Sequence, residues 1–223
     1  MQTRISKRIL LYLFILLLLG TPINKKFLDF VLNKNFNFEI SSSSEFNDDE
    51  IIKELSNFKN ENLFFLKKEE ILKIMDKYKI IEDYYIYKNY PSKMNIKFKR
   101  TQFLAITQKN GVNYYIGSNG NFIKILENPE DLPIIFGSVD AIEFLKLKKQ
   151  IDNSVFNFSD IKNLYYFKSK RWDIETKDGL VLKLPRNNLV KSIELFIKII
   201  NQNEFQDISI IDLRQNNQII LNG

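Results

Sequence analysis

The side chains available for chemistry are few, because the 223-residue sequence contains neither Cys nor His. Without Cys there is no disulfide, thiolate nucleophile or Cys-ligated metal, and without His there is no Ser-His triad and no imidazole base or zinc ligand. Only carboxylate or Lys chemistry remains for an enzyme. The acids that stand in the least random-looking segments are Asp173, Asp178 and Asp212, which a carboxylate-based hydrolase would have to use.

Two charged segments contain most of these acids, namely residues 171–173 (Arg-Trp-Asp) and 211–214 (Ile-Asp-Leu-Arg). Arg171 or Lys170 could bond to Asp212 across neighbouring strands of a sheet. We predict such a structural salt bridge rather than catalysis.

The remaining conspicuous residues have structural explanations. Trp172 is the single Trp, and we predict that it packs in the core or at its rim with its N–H near water. Asn119-Gly120 and Asp178-Gly179 are typical of tight turns rather than of phosphate or metal sites. The sequence has no Gly-rich P-loop, dinucleotide fingerprint or paired-acid motif. We therefore expect no catalytic, cofactor-binding or metal-ligating residues and no small-molecule substrate.

The net charge of +6 and the isoelectric point near 9.2 could suit nucleic acid or anionic lipid. Lys and Asn are nevertheless spread along the whole chain and mixed with Glu and Asp, which is typical of a compositional bias rather than of a binding surface. Lys93, Lys97 and Lys99 lie in an alternating pattern that indicates the solvated face of a strand protected from edge pairing. We predict no nucleic-acid partner.

The first apolar run, Ile9–Leu19, follows the basic residues Arg4, Lys7 and Arg8. Its residues favour lipid by roughly 0.3 to 0.6 kcal/mol each, but the run spans only about 16 Å of helix against a hydrocarbon core of about 30 Å. This length suits a cleaved signal peptide or a short anchor. Residues 18–22 lack a convincing small-x-small cleavage site, so we favour an uncleaved anchor over residues 9–26. The basic residues before the run predict a cytoplasmic N-terminus and a translocated remainder.

The patterns that follow predict a small α+β module. Alternation of apolar and polar residues indicates a strand over residues 36–40. Two amphipathic helices are predicted over about 47–58, with Asn47 as the N-cap, and about 68–79. Strands at 83–87 and 94–98 complete the order strand, helix, helix, strand, strand.

From Leu104 onward the strand signals are closely spaced, which predicts a β-rich domain with two covering helices. The predicted strands are 104–108, 113–116, 122–126, 165–168, 172–176, 180–184, 208–213 and 218–221. Leu132, Pro133 and Gly137 are read as the lead into a helix over about 139–149. A second helix, about 189–201, is predicted to face the sheet with Ile193, Phe196, Ile197 and Ile200.

The order of elements and the motifs together resemble the FtsQ/DivIB family of bacterial cell division proteins. The residues that carry the resemblance are Leu104-Ala105 through Gln108, Tyr114–Ile116, Gly120, Leu132-Pro133, Gly137, Arg171-Trp172-Asp173, Asp178-Gly179, Leu184-Pro185 and Ile211-Asp212-Leu213-Arg214. The chain departs from the family pattern at Phe103, where Pro is usual, at Gly117, where Asp is usual, and at Gln218, near a position that is often basic.

The resemblance implies an α+β protein with a cytoplasmic tail (1–8), a membrane anchor (9–26), a POTRA domain (34–102) of β-α-α-β-β order and an FtsQ-type β domain (103–223). Such a protein would cross the inner membrane once at the division septum. Its N-terminus would be cytoplasmic, and the bulk of the chain would be periplasmic.

The resemblance also implies a non-enzymatic assembly protein that uses no cofactor. Its POTRA domain would contribute to recruitment, and its β domain would bind FtsB- and FtsL-like bitopic proteins that help control septal peptidoglycan synthesis. Components of the septal peptidoglycan synthase are further expected partners. By position along the matched motif, the expected partner-binding residues are Arg171, Trp172, Arg214, Gln215, Asn217 and Ile219.

A physical route to such binding is available, because the last predicted strand, 218–221, should be a sheet edge. An extended partner segment can add to a free edge through main-chain hydrogen bonds. Two other classes of function stay open from the residues. One is a POTRA-containing envelope chaperone or assembly factor, and the other is the carboxylate-based envelope hydrolase.

Overall fold

The computed structural model describes residues 7–20, 37–42, 49–61, 63, 65–90, 93–126, 130–200, 208–215 and 218–222. The chain forms two compact units, one made of Met1–Lys77 and Tyr84–Phe98 and the other of Tyr78–Asp83 and Lys99–Gly223. The domain bounds that the resemblance implies, 34–102 and 103–223, remain predictions. Several residues named from the sequence lie outside the described residues, namely Arg4, residues 21–26, Phe36, Asn47 and Asn217.

The apolar run near the N-terminus forms helix α1 (Lys7–Gly20), and its side chains from Ile9 to Leu18 are all exposed. A surface helix of a globular protein usually has one apolar and one polar face, whereas α1 is apolar on every side. At 1.5 Å per residue the helix is about 21 Å long. Among the helices of the described residues, none is long and apolar enough to cross a membrane.

Within the described residues, the elements that follow α1 have the predicted order of strand, helix, helix, strand, strand. They are β1 (Asn37–Ser42), α2 (Asp49–Ser56), α3 (Lys68–Lys77), β2 (Ile81–Asn89) and β3 (Lys93–Arg100), with a 3₁₀ turn at Asn57–Asn60. The three strands form a sheet in the order β1-β3-β2, in which β1 runs parallel to β3. The predicted α+β character of this part of the chain is confirmed.

Burial on β3 follows the predicted alternation. Met94, Ile96 and Phe98 are buried, and the Lys side chains between and beside them are exposed. The two helices each bury one apolar face, and the buried residues on them are Ile51, Leu55, Ile71, Ile74 and Met75. The period of the apolar residues therefore selects which face of each element enters the core.

The second unit is built on one mixed sheet. Its strands are β4 (Phe103–Lys109), β5 (Val112–Gly117), β6 (Phe122–Lys124), β7 (Ile134–Phe136), β8 (Ile161–Tyr166), β9 (Trp172–Thr176), β10 (Val181–Lys183), β11 (Ile210–Asp212) and β12 (Ile220–Asn222). They form a nine-stranded sheet in the order β12-β11-β10-β9-β8-β7-β4-β5-β6. The predicted edge position of the last strand is confirmed, and β9 has the predicted bounds.

Two helices, α4 (Ala141–Asp152) and α5 (Leu189–Ile200), pack on this sheet, as predicted. Asp140 caps α4, because its Oδ1 accepts a hydrogen bond from the Ile142 N–H at 3.4 Å. One hydrophobic core joins Phe144 of α4 and Phe196 of α5 to sheet residues such as Ile174. The two helices therefore pack against the sheet through one shared core.

The orientation predicted for α5 is partly wrong. Ile193 and Phe196 are buried, but Ile200 is 44% exposed and Ile199 is buried instead. The buried stripe is rotated toward Ser192 and Ile199, and Ile200, the last residue of the helix, lies outside it. Sequence periodicity locates an apolar stripe but does not determine which edge of it packs inward.

Strand β7 is the main element that sequence reasoning misses. Residues 132–137 were expected to lead directly into a helix, but Ile134–Phe136 pair in parallel with both β4 and β8. Three residues are too few to establish an alternating pattern, and Pro133 and Gly137 on either side are typical of a loop. The following helix consequently begins at Ala141 rather than near 139.

The strand predicted at 165–168 is also displaced, because β8 runs from Ile161 to Tyr166. Phe167 already belongs to the turn that follows, since its carbonyl accepts a hydrogen bond from the Lys170 N–H at 2.8 Å. Lys170 has a φ of 62°, so this turn uses the left-handed region.

Gly137 should be among the least replaceable residues of the second unit. Its φ is +102°, and a Cβ there would lie 2.1 Å from the Tyr166 carbonyl oxygen. We expect Gly137→Ala to lower the free energy of unfolding by about 2–4 kcal/mol, through backbone strain and a clash with rigid main chain. Urea denaturation of the purified chain would measure this loss.

Gly179→Ala is the matched control, because Gly179 has a similar φ of +93° but no atom within 4 Å of the added Cβ. It should cost only the left-handed penalty of about 1–2 kcal/mol. Equal losses for the two variants would show that the close approach at Gly137 contributes nothing.

Candidate partner-binding edge of the nine-stranded sheet

β12 is the last strand of the sheet, and among the described strands it pairs only with β11. The pairing is antiparallel, with Ile211 opposite Leu221 and Asp212 opposite Ile220. Within the part of the chain that the structure describes, the outer N–H and C=O groups of β12 therefore have no ladder partner. Such an edge can accept another extended segment through main-chain hydrogen bonds.

Behind this edge, three charged residues lie side by side across neighbouring strands. Lys183 of β10 is opposite Asp173 of β9 and also opposite Asp212 of β11. The residues adjacent to them along the strands point to the other face and are buried in the core, namely Ile174, Leu182 and Ile211. The charged row therefore lies on the face opposite the helices and continues to Ile220 on the edge strand.

Asp212 is held by Arg214, which lies two residues further along the chain. Arg214 Nε donates to Asp212 Oδ1 at 2.8 Å and to Oδ2 at 2.9 Å, and the Arg214 backbone N–H donates to Oδ1 at 3.0 Å. The side-chain hydrogen bond from Arg214 is the main reason that the pKa of Asp212 lies below its usual value. The same bond raises the pKa of Arg214. Because 37% of the Arg214 side chain is exposed, its guanidinium still faces solvent.

Asp173 has a less favourable environment. Its Oδ1 lies 3.8 Å from Arg171 Nε, and both atoms are buried without a hydrogen-bond partner in the described residues. Burial raises the pKa of Asp173, against the opposing effect of the Arg171, Arg214 and Lys183 charges. The Arg171 guanidinium also lies over the Phe167 ring, 4.2 Å from its centroid.

The predicted salt bridge from Arg171 or Lys170 to Asp212 is wrong. β10 lies between β9 and β11, so these residues are two strand spacings apart, or about 9.5 Å. Each Arg instead pairs with the Asp two residues away on its own segment. Residues two apart on a strand share a face, so these local pairs need no neighbouring strand.

The other predicted partner-binding residues lie in different environments. Trp172 is only 3% exposed and packs in the core, where its ring centroid is 4.6 Å from that of Tyr166, so the prediction of a packing role is confirmed. Gln215 and Ile219 are exposed and line a cavity of about 300 Å³ that also includes Leu195 and Leu213. Asn217 lies outside the described residues.

Sequence reasoning misses two residues of this region. Lys183 lies between the two Asp residues, and Leu195 brings α5 to the cavity beside the edge. Neither residue has a sequence signal of its own, because a single Lys in a strand or an apolar residue in a helix is common. Only the order of the strands identifies them.

The acids considered for hydrolysis do not form one catalytic pair. Asp173 is near the start of β9 and Asp178 is in the turn that follows Thr176, so about 10 Å of extended strand lies between them. Asp178 accepts a hydrogen bond from the Thr176 hydroxyl, and Asp212 is bonded to Arg214. Within the described residues, no group of three or more acids could hold a metal ion.

Asp212 and Asp173 should affect stability in opposite directions. The pKa of Asp212 is lowered on folding, so its contribution is present above the unfolded value of about 3.9 and is lost as pH falls through the folded pKa. We expect Asp212→Asn to cost about 1–2 kcal/mol at pH 7 and much less near pH 2. Urea denaturation at the two pH values measures this difference.

The pKa of Asp173 is raised on folding, so the ionised carboxylate destabilises the chain at pH 7. This cost is lost as pH falls through the folded pKa, because the carboxyl becomes protonated. Asp173→Asn should therefore stabilise the chain at pH 7. A loss of stability at pH 7 for this variant, or a gain for Asp212→Asn, would contradict the assignment of the two carboxylates.

Comparison with known proteins identifies a family domain that covers most of this sheet. Residues 105–214 match the family described as the C-terminal domain of cell division protein FtsQ/DivIB. The matched segment begins in β4 and includes Arg171, Asp173, Asp212 and Arg214. It ends at Arg214, before the exposed residues of the β12 edge.

Two relatives are named cell division protein FtsQ. The protein of Rickettsia bellii (strain RML369-C) is 26% identical over 177 residues, which cover 75% of this chain and 64% of that protein. The protein of Rhizobium radiobacter is 24% identical over 138 residues, which cover 60% of this chain and 66% of that protein. The matches therefore span just under two thirds of the length of each relative.

A solved structure is also similar, that of the major extracytoplasmic domain of DivIB from Geobacillus stearothermophilus. It shares 13% identity and covers 45% of this chain and 91% of its own, with a TM-score of 0.34. The family domain over residues 105–214 and the two FtsQ relatives identify the group to which the sequence is related. The chain belongs to the FtsQ/DivIB family of cell division proteins.

Proposed function

We propose that this cell division protein is a non-enzymatic, single-pass assembly protein that links early and late division proteins at the septum. It binds FtsB- and FtsL-like bitopic partners and thereby helps to control septal peptidoglycan synthesis. The observation that supports this proposal most strongly is the outer side of β12, which no other described strand pairs, beside the exposed side chains of Arg214, Gln215 and Ile219.

Partner binding uses β12 as a template for one more strand. β12 has three residues, so the added strand makes only a few main-chain hydrogen bonds, each worth about 0.5–1.5 kcal/mol net. Side-chain contacts must supply the remaining affinity. The exposed guanidinium of Arg214 suits an acidic partner residue, and Ile219, Ile220 and the 300 Å³ cavity suit an apolar one.

Trp172 and Arg171 have supporting roles in this proposal. Trp172 packs beneath the sheet and fixes β9, so it acts on the edge through the core rather than by direct contact. Arg171 is about 28% exposed and adds positive charge to the same face as Arg214. Arg171, Lys183 and Arg214 outnumber Asp173 and Asp212 on this face, and this small excess of positive charge favours association with an acidic segment over association with a basic one.

The N-terminal half of the chain supplies location and recruitment in the same proposal. The exposed apolar side chains of α1 support an anchor in the inner membrane, with residues 9–26 as the membrane segment. The strand, helix, helix, strand, strand order after α1 supports a POTRA domain that takes part in recruitment. Tethering to the membrane raises the effective concentration toward other membrane-bound partners.

Removal of residues 219–223 should abolish pull-down of the FtsB-like partner, because it deletes the edge strand. The circular dichroism spectrum should stay intact, since β12 pairs only with β11 among the described strands. The control is Lys124→Glu, which changes β6 at the opposite end of the sheet and should leave pull-down unchanged. If the truncated chain keeps both its spectrum and its partner, β12 is not the binding edge.

A reporter that works only outside the cytoplasm should be active when it is fused after Gly223, because the basic residues before the apolar run Ile9–Leu19 retain the N-terminus inside. A fluorescent fusion should gather at midcell. An inactive reporter would reverse the proposed orientation. Diffuse fluorescence over the envelope would count against a septal function even if the reporter were active.

A further inference from the structure

A second cavity, of about 540 Å³, shares no lining residue with the cavity beside the β12 edge. It is formed by the last turn of α5, the segment that follows α4 and the turn between β9 and β10. Its volume is within the range of sites that hold a ligand or a few partner side chains. None of the residues expected to bind FtsB- or FtsL-like partners lines it.

The floor of this cavity is apolar and well ordered. Phe156 and Phe196 meet edge to face, with ring centroids 5.4 Å apart and an interplanar angle of 84°. Leu180 and Ile197 extend the apolar surface beside them. The floor is part of the hydrophobic core, so it is rigid before any ligand arrives.

The mouth of the cavity exposes large apolar side chains to water. Val155 is 84% exposed, and Ile200 is the residue of α5 that was expected to face the sheet but instead opens to solvent. Exposed apolar side chains at the entrance of an apolar cavity are typical of a docking surface. Burial of this surface by a partner would remove it from water.

The rim carries negative charge that other side chains do not neutralise. Asp160 and Asp178 both line the cavity, and each accepts a hydrogen bond from a neutral hydroxyl, of Ser159 and Thr176 respectively. Neither carboxylate forms an ion pair within the described residues, whereas the one Lys on the rim, Lys177, lies 3.6 Å from Asp131. The rim is therefore negatively charged, although the chain as a whole has a net charge of +6.

We propose that this cavity is a second docking site, which binds a segment of another protein that carries a large apolar side chain next to Lys or Arg. The apolar side chain enters the floor between Phe156 and Ile197. The cation lies at the rim near Asp160 and Asp178. Because charges on the rim discriminate between partners mainly by sign, an acidic segment of the same shape is rejected.

Fluorescence anisotropy of short labelled peptides with the full-length chain in a zwitterionic detergent tests this proposal. The probe has one Phe followed by two Lys, and its two counterparts replace the Lys pair by Glu or the Phe by Ala. The Phe-Lys peptide should bind at least tenfold more tightly than either counterpart. Its binding should weaken as salt rises from about 0.05 to 0.5 M, because exposed charges are screened.

Variants of the chain locate the binding. Asp160→Asn with Asp178→Asn should weaken the Phe-Lys peptide about tenfold, as expected for the loss of two charge contacts. Val155→Ser should weaken it several-fold. The matched control, Glu130→Gln with Glu194→Gln, removes the same charge from exposed positions outside the cavity and should leave affinity unchanged.

Three results would overturn the proposal: no binding of the Phe-Lys peptide, equal binding of the Glu peptide, or an unchanged affinity in the Asp160/Asp178 variant with a native circular dichroism spectrum. Binding that requires the Phe but is unaffected by replacement of the Lys pair would identify a purely apolar site instead. Self-association of the chain that Val155→Ser abolishes would assign the cavity to a second copy of this protein. Each of these outcomes is independent of partner binding at β12.

Discussion

The second unit depends on the parallel pairing of one three-residue strand. β7 pairs with β4 on one side and with β8 on the other, and it therefore joins the hairpin strands β4-β5-β6 to the strands that lead to β12. The residue that follows β7 must be glycine, because the backbone at Gly137 passes close to the Tyr166 carbonyl. The core beneath the sheet can be continuous only because this junction makes the sheet continuous.

The charged residues near β12 are satisfied largely within their own segments. Arg214 satisfies Asp212 within its own segment, so the carboxylate needs no residue from another protein. Asp173 is satisfied less well, and its charge is balanced mainly by the surrounding Arg171, Arg214 and Lys183. Local pairing satisfies Asp212 and still leaves the Arg214 guanidinium partly exposed, as the proposed contact with an acidic partner residue requires.

The sequence predicts well the elements whose signal repeats over many residues. The alternation on β3 and the turn at Asp178-Gly179 after β9 give the correct strands, and the apolar periodicity of residues 49–77 gives the two helices α2 and α3. β7 is not predictable, since three residues carry no period. The ion pairs are not predictable either, because the position of β10 between β9 and β11 is a property of the topology. The same limit hides the cavity at Val155, whose walls come from three separated segments.

The proposed addition of a partner strand to β12 is tested most directly by amide hydrogen exchange of the full-length chain, alone and with the proposed FtsB-like partner. Strand addition gives the outer N–H groups of residues 220–222 new hydrogen bonds, so their exchange should slow by at least tenfold on binding. Exchange at β6, on the opposite edge, should not change. Protection that spares residues 220–222 while the partner is bound would contradict strand addition at β12.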